Sequence, residues 1–401
     1  MRRSFTAKIK PEILIWARKS AGYKSVESAA IALNLPVEKL VGWEESGSIT
    51  LAKLRDLARV YKRPLAVFYL QDVPKDFMAL SDLRRHRDNL NKELSPGLVQ
   101  EIRIAQQRRE LALDLSSDTD TPINKFDFKL AINVDTELAA ASIRKFLDIN
   151  DDELSKNTSG SDGYKAFNFW RKKVESKGVL VFQMAKVDSS EASGFAVTKV
   201  FFPIIGINKK DPPTRRLFSL IHELTHIVIG SSSVSDLEMN AAASNANVNL
   251  ERFCDRVAAA TLVPKGLLLS DSHVLNAKKN EGKLPDEEIS FLAKKFGVSR
   301  EALLLRLVTF KISTWDYFFT KKQQWDDEYR QLKIAEAKSN KGKSIPRDMP
   351  KEALSNLGGL YLGLIFDNYH QSRITLSEVS GYLGIKTKHI STLESKLRAA
   401  A

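Results

Sequence analysis

The spacing of apolar positions divides the chain into helical and strand-like stretches. In "KPEILIWARKSAG", Ile13, Leu14, Trp16 and Ala17 recur at helical spacing and Gly22 ends the run. "SVESAAIALN" opens on Ser25, a residue suited to accepting from the first free amides of a helix. "LPVEKLVGWEESG" closes on Gly47, and "TLAKLRDLARVYKRPLAVFYL" reads as two helical pieces broken at Pro64. Short helix, tight turn, short helix is the outline of a helix-turn-helix module, with Asn34 at the turn, where a positive φ is tolerated.

Residues 71–93 read as polar and irregular. A long amphipathic helix capped by Ser95 and Pro96 follows, then a linker, "SSDTDTPIN". Further helices are predicted near 137–148 and over "GYKAFNFWRKKVESKG". "VLVFQM", "GFAVTKV" and "FFPIIGIN" are rich in Val, Ile and Phe and read as strands. Helices resume with "RRLFSLIHELTHIVIG" (Arg215–Gly230), "NLERFCDRVAAATLVP", "EEISFLAKKFGVSREALLLRLVTF", "GLYLGLIFDNYH" and "TLSEVSGYLGIKTKHISTLESKL". Residues 333–351, with six basic and two acidic residues, read as a mobile connector.

Composition sets wide bounds. A chain of 401 residues exceeds one ordinary core, which predicts two or three domains. With 43% hydrophobic and 28% charged residues it reads as globular. No apolar run approaches the ~18 residues of a membrane helix. "MRRSFTAKIK" lacks the apolar stretch of a signal peptide, and Cys254 is the single cysteine, so a cytoplasmic protein is expected. The net charge is +13, and residues 1–70 carry thirteen Lys and Arg against six Asp and Glu, which points toward nucleic acid.

The chemistry concentrates in "HELTH". Positions i and i+4 share a helix face, so His222 and His226 can turn toward one ion. Glu223 stands where zinc peptidases hold a general base. A third ligand is required for a catalytic zinc site. Glu251 leads the candidates, with Asp236 and Glu238 as rivals, and Asp255 could accept from the far nitrogen of His222. Cys254 is a possible soft ligand but reads as buried packing, while His86, His273, His370 and His389 show no paired spacing. "FFPIIGIN" is a candidate edge for strand addition by an extended substrate.

These phrases resemble the ImmA/IrrE family of zinc metallopeptidases in its form with an N-terminal XRE-type helix-turn-helix. "RRLFSLIHELTHIVIG" is similar to the family's FTLxHELGHLLL phrase and "ERFCDRVAAATLVP" to ERxCNxxAAxxLxP. "GVLVFQM", "SGFAV" and "PIIGINKKD" resemble the strands ahead of the zinc helix, and "AAIALNLPVEKLVGWEESGS" the XRE pattern. The likeness runs over nearly the whole chain. It implies His222, His226 and Glu251 as Zn2+ ligands and Glu223 as base. Thr225 departs from a usual glycine, and Asp255 from a more frequent asparagine.

The resemblance implies an α+β chain. Residues 1–75 would form the all-helical helix-turn-helix domain, 76–125 a connecting segment, 126–335 a gluzincin-like peptidase domain with a small sheet, and 336–401 a basic linker with a helical C-terminal part. The implied activity is zinc-dependent cleavage of a protein, with a helix-turn-helix repressor as substrate, in stress or mobile-element regulation. The alternative is a non-proteolytic DNA-binding regulator or antitoxin that neutralises a toxin partner. DNA contacts would come from Arg2, Arg3, Lys8 and Lys39, although Glu38, Glu44 and Glu45 put carboxylates on the expected recognition helix.

Overall fold

The computed structural model describes the chain apart from residues 1–4, 75–82, 85–93, 118–124, 159–162, 231–243, 280–282, 340–346 and 401. The chain begins with β1 (Thr6–Lys8), α1 (Pro11–Ser20), α2 (Val26–Leu33), α3 (Val37–Ser46), β2 (Ser48–Thr50) and α4 (Leu51–Val60). A 3-10 turn over Leu65–Tyr69 follows Pro64. Ser25 accepts from the Ser28 amide, and Asn34 closes α2 at φ 53°. The ribbon β1–β2 and these helices enclose their own core around Ile13, Leu14, Leu40, Leu54 and Phe68. Inside it, Arg18 and Glu44 form a two-pronged ion pair, at 2.7 Å (Nε to Oε1) and 3.0 Å.

A two-residue strand, β3 (Leu83–Arg84), precedes α5 (Pro96–Ser117). Then come α6 (Thr136–Phe146), α7 (Asp151–Thr158), α8 (Tyr164–Glu175), β4 (Leu180–Met184), β5 (Gly194–Val197) and β6 (Ile204–Asn208). The sheet order is β3-β5-β6-β4, with β4 and β6 parallel and the other pairs antiparallel. Every residue of β4, β5 and β6 is buried, which is why their sequences read as unbroken apolar runs rather than alternation.

The pleat sends alternate side chains into two cores. Val181, Ala196, Ile205 and Ile207 join Trp170 and Leu220 on one face. Leu180, Phe182, Phe195 and Ile204 join α5 residues and the C-terminal helices on the other.

The first face is covered by α8 and by α9 (Pro213–Ile229), with α10 (Ser244–Leu262) beyond. Next come α11 (Lys265–Leu269), α12 (Ser272–Lys279), α13 (Asp286–Phe296), α14 (Arg300–Thr309) and α15 (Trp315–Ser339). The second face is covered by α5 together with α16 (Met349–Leu357), α17 (Gly359–His370), α18 (Leu376–Leu383) and α19 (Ile390–Ala400).

Several sequence expectations change. The expected connector 333–351 is helical over 333–339, as the end of α15, and again from Met349, while 340–346 lie outside the described residues. The helices α7 and α15 had no counterpart in the sequence reading, because their surfaces are too polar to show a strong apolar stripe. "FFPIIGIN" supplies an interior strand: β6 is paired on one side by β5 and on the other by β4, so it has no open edge. "SSDTDTPIN" lies mostly outside the described residues.

Candidate metal centre

Pro213 starts α9, where a missing amide costs nothing, and Gly230 ends it at φ 72°. Leu217, Leu220, Ile221, Leu224 and Val228 anchor the helix in the core. His222, Glu223, Thr225 and His226 are buried with them. Burying four polar side chains in one helix is costly unless each is answered. Thr225 is answered locally, its Oγ1 donating to the Ile221 carbonyl at 2.8 Å, so the departure from glycine fits the wall.

His222 and His226 turn toward each other, with their Nε2 atoms 3.1 Å apart. Glu251 on α10 reaches both, Oε2 lying 3.2 Å from His222 Nε2 and Oε1 3.3 Å from His226 Nε2. Helices α9 and α10 pack along one another, which brings the carboxylate from 25 residues further along the chain. The ring of His222 is held from behind: its Nδ1 stands 3.0 Å from Asp255 Oδ1. Asp255 lies four residues after Glu251, on the same face of α10.

These separations test whether the group suits a cation. Ligands ~2.05 Å from a tetrahedral zinc ion stand ~3.3 Å apart along each edge of the tetrahedron. The three observed edges, 3.1, 3.2 and 3.3 Å, match that value. The chemistry of the donors agrees. If neutral His222 gives its Nδ1 proton to Asp255, its Nε2 offers a lone pair toward the Glu251 oxygen. Two electron-rich atoms facing each other at hydrogen-bond distance call for a cation between them. His222, His226 and Glu251 are the one such group among the described residues, and they could hold a metal ion.

Burial alone would raise the Glu251 pKa. When the two rings are protonated instead, their hydrogen bonds and charges outweigh burial and hold Glu251 well below the usual carboxylate range. The His222 side chain is fully buried and Glu251 is 38% exposed, so the group opens to solvent along α10.

Glu223 faces the sheet. A Cβ built on Gly194 would fall 2.8 Å from Glu223 Oε1 and 3.0 Å from its Cγ. On the neighbouring strand, a Cβ on Gly206 would fall 2.1 Å from the Phe195 ring. The two glycines therefore let β5, β6 and the Glu223 carboxylate close together. They were not singled out from sequence, though a glycine inside an apolar strand run is the signal for such an approach. The outer edge of β5 is paired by Leu83–Arg84, with Arg84 opposite Gly194.

The remaining candidates divide. Cys254 is fully buried, as packing predicts. Asp236, Glu238, His86, Arg2 and Arg3 lie outside the described residues. Lys8 on β1 and Lys39 on α3 are exposed, as are Glu38, Gly42 and Glu45. Glu44, expected on the exposed face of α3, is instead buried against Arg18, because the core needs a counter-charge there. His273 pairs with Asp271 at 2.9 Å and His370 with Glu394 at 2.7 Å.

Among the described residues no helix is long and apolar enough to cross a membrane. No curated protein matches the chain. Residues 174–308 match the family model of the IrrE N-terminal-like domain, Peptidase_M78, which supports the resemblance to ImmA/IrrE over the three central strands and α9 to α14. The match covers about a third of the chain and suggests a metallopeptidase acting on protein.

Proposed function

We propose that this chain is a zinc-dependent endopeptidase in which His222, His226 and Glu251 hold the metal, Asp255 orients His222, and Glu223 is the general base. The observation that carries this reading is the set of three ligand-to-ligand distances, each close to a tetrahedral edge. When bound, zinc would polarise the scissile carbonyl and lower the pKa of its water to about 7.

Glu223, beside the ligand His222 but turned toward β5, takes the proton of the attacking water as its oxygen bonds to the carbonyl carbon. It then delivers that proton to the amine nitrogen as the C–N bond breaks. Burial strengthens this proton transfer by excluding competing solvent. An extended substrate adds along β5, in the place that Leu83–Arg84 holds here, since β6 is already paired on both sides.

The proposed substrate is a helix-turn-helix repressor, and the N-terminal module is proposed to direct the enzyme to DNA through Lys8 and Lys39. The deciding experiment compares cleavage of a candidate repressor by the wild type and Glu223→Gln. The variant keeps stoichiometric zinc and loses cleavage, and equal activity in both rules out the peptidase. A chain that binds zinc but cleaves nothing, yet shifts its own promoter DNA, would instead be the non-proteolytic regulator.

A further inference from the structure

On the side of the sheet away from the metal centre, a cavity of about 350 Å3 opens between α5 and the pair α17–α18. Its lining includes Ile104, Arg108, Leu111, Tyr361, Tyr382 and Leu383. Arg108 lies with its guanidinium carbon 5.2 Å from the centre of the Phe182 ring, which in turn meets Tyr361 edge-on.

Arg108 is half-buried, and its charge is not answered by a carboxylate as those of three buried arginines are. Arg18 is paired with Glu44, Arg171 with Glu175 and Arg306 with Glu137. Arg108 makes no ion pair among the described residues. Glu101, the acidic group whose charge reaches it, is turned to the amides of Ala185 and Lys186, at 3.3 and 3.2 Å. Burial lowers the Arg108 pKa, the expected response of a cation taken from water without a counter-ion.

Tyr361 repeats the pattern: it is 1% exposed, and its hydroxyl has no hydrogen-bond partner among the described residues. Burial pushes its pKa up to about 12, so the phenol remains a donor at neutral pH. A half-buried cation without an ion pair and a buried phenol line the same cavity, and the two together suit an anion. An anion with two coplanar oxygens matches the guanidinium fork and keeps a further lone pair on one of them for the phenol. The apolar side chains Ile104, Leu111 and Leu383 suit a compact hydrocarbon body. The volume is at the small end of ligand pockets, roughly 300–1,000 Å3.

We propose that this cavity is a binding site for a small organic carboxylate with an apolar body, held by Arg108 and Tyr361. The proposal stands independently of the peptidase reading. It gives α5 a role beyond packing, because the same helix carries the N-terminal module. Arg103 donates to the Lys62 carbonyl at 3.0 Å, and Gly22 lies against Pro96 and Val99.

The test is calorimetric titration of the full chain, loaded with zinc, with acetate, isovalerate, benzoate and phenylacetate, and with benzamide and inorganic phosphate as contrasts. At least one of the three apolar carboxylates should bind at millimolar or lower Kd, at least tenfold tighter than benzamide or phosphate. Arg108→Gln should weaken it at least tenfold, which also separates this site from carboxylate binding at the metal. Tyr361→Phe, which keeps the ring against Phe182, should weaken it severalfold and serves as the safer variant if Arg108→Gln fails to fold. No carboxylate binding at millimolar concentration, undiminished binding in Arg108→Gln or Tyr361→Phe, or equal affinity for benzoate and benzamide would overturn the proposal. A preference for phosphate would overturn the carboxylate assignment.

Discussion

Gly194→Ala tests the arrangement of Glu223 without replacing any proposed ligand or ionisable group. The added methyl carbon would lie 2.8 Å from Glu223 Oε1, 3.0 Å from its Cγ and 3.0 Å from the Gly206 carbonyl oxygen. Non-bonded heavy atoms settle at roughly 3.5 Å, so the carboxylate or the strand must yield by about 0.7 Å. The Gly206 carbonyl is backbone in the middle of the sheet, so the displacement falls mainly on Glu223.

Overpacking of this kind costs ~1–3 kcal/mol of stability. A base displaced by about 1 Å loses roughly a hundredfold in rate. The expected outcome is a fall in kcat/KM of ~10- to 100-fold with zinc content unchanged and Tm lowered by several degrees. The assay is steady-state cleavage of a repressor substrate alongside metal analysis and calorimetry on the same preparations. Wild-type kcat/KM in Gly194→Ala would show that Glu223 does not need its place against β5.

Asp255→Ala should weaken zinc binding ~10- to 100-fold, measured by chelator competition, because His222 loses the group that fixes its ring; unchanged affinity would remove Asp255 from the site. Glu44→Ala strands Arg18 in a core where the two side chains are only 5% and 8% exposed, a loss of ~3–5 kcal/mol, read as a lower Tm or urea midpoint for the N-terminal module. A Tm within a degree of wild type would mean that the pair is not buried in solution. For the proposed DNA contact, Lys39→Glu should weaken promoter binding and lower the salt slope by about one, and a slope equal to wild type would take Lys39 off the interface.

The elements that the sequence showed best are those made by short-range rules. Ser25 as a cap, Asn34 at positive φ and Gly230 as a stop are decided within one or two turns of backbone, and each stands where its residue type requires. The pairing of His222 with His226 is of the same kind, since helical geometry alone puts residues four apart on one face. The glutamate two helices' packing brings to them is not.

Glu251 reaches the histidines only because α10 lies against α9; spacing put it ahead of Asp236 and Glu238 without settling the choice, which the resemblance then favoured. Tertiary pairing also decided that β6 is an interior strand and that β5, paired on its outer side by Leu83–Arg84, runs beside Glu223. Core packing turned Glu44 inward to meet Arg18, and it brought Gly194 close against the Glu223 carboxylate. Local sequence sets the backbone's preferences because capping and periodicity act over a few residues. Strand order, helix docking and close approach depend on residues far apart in the chain, and their positions exist only once the whole core has closed.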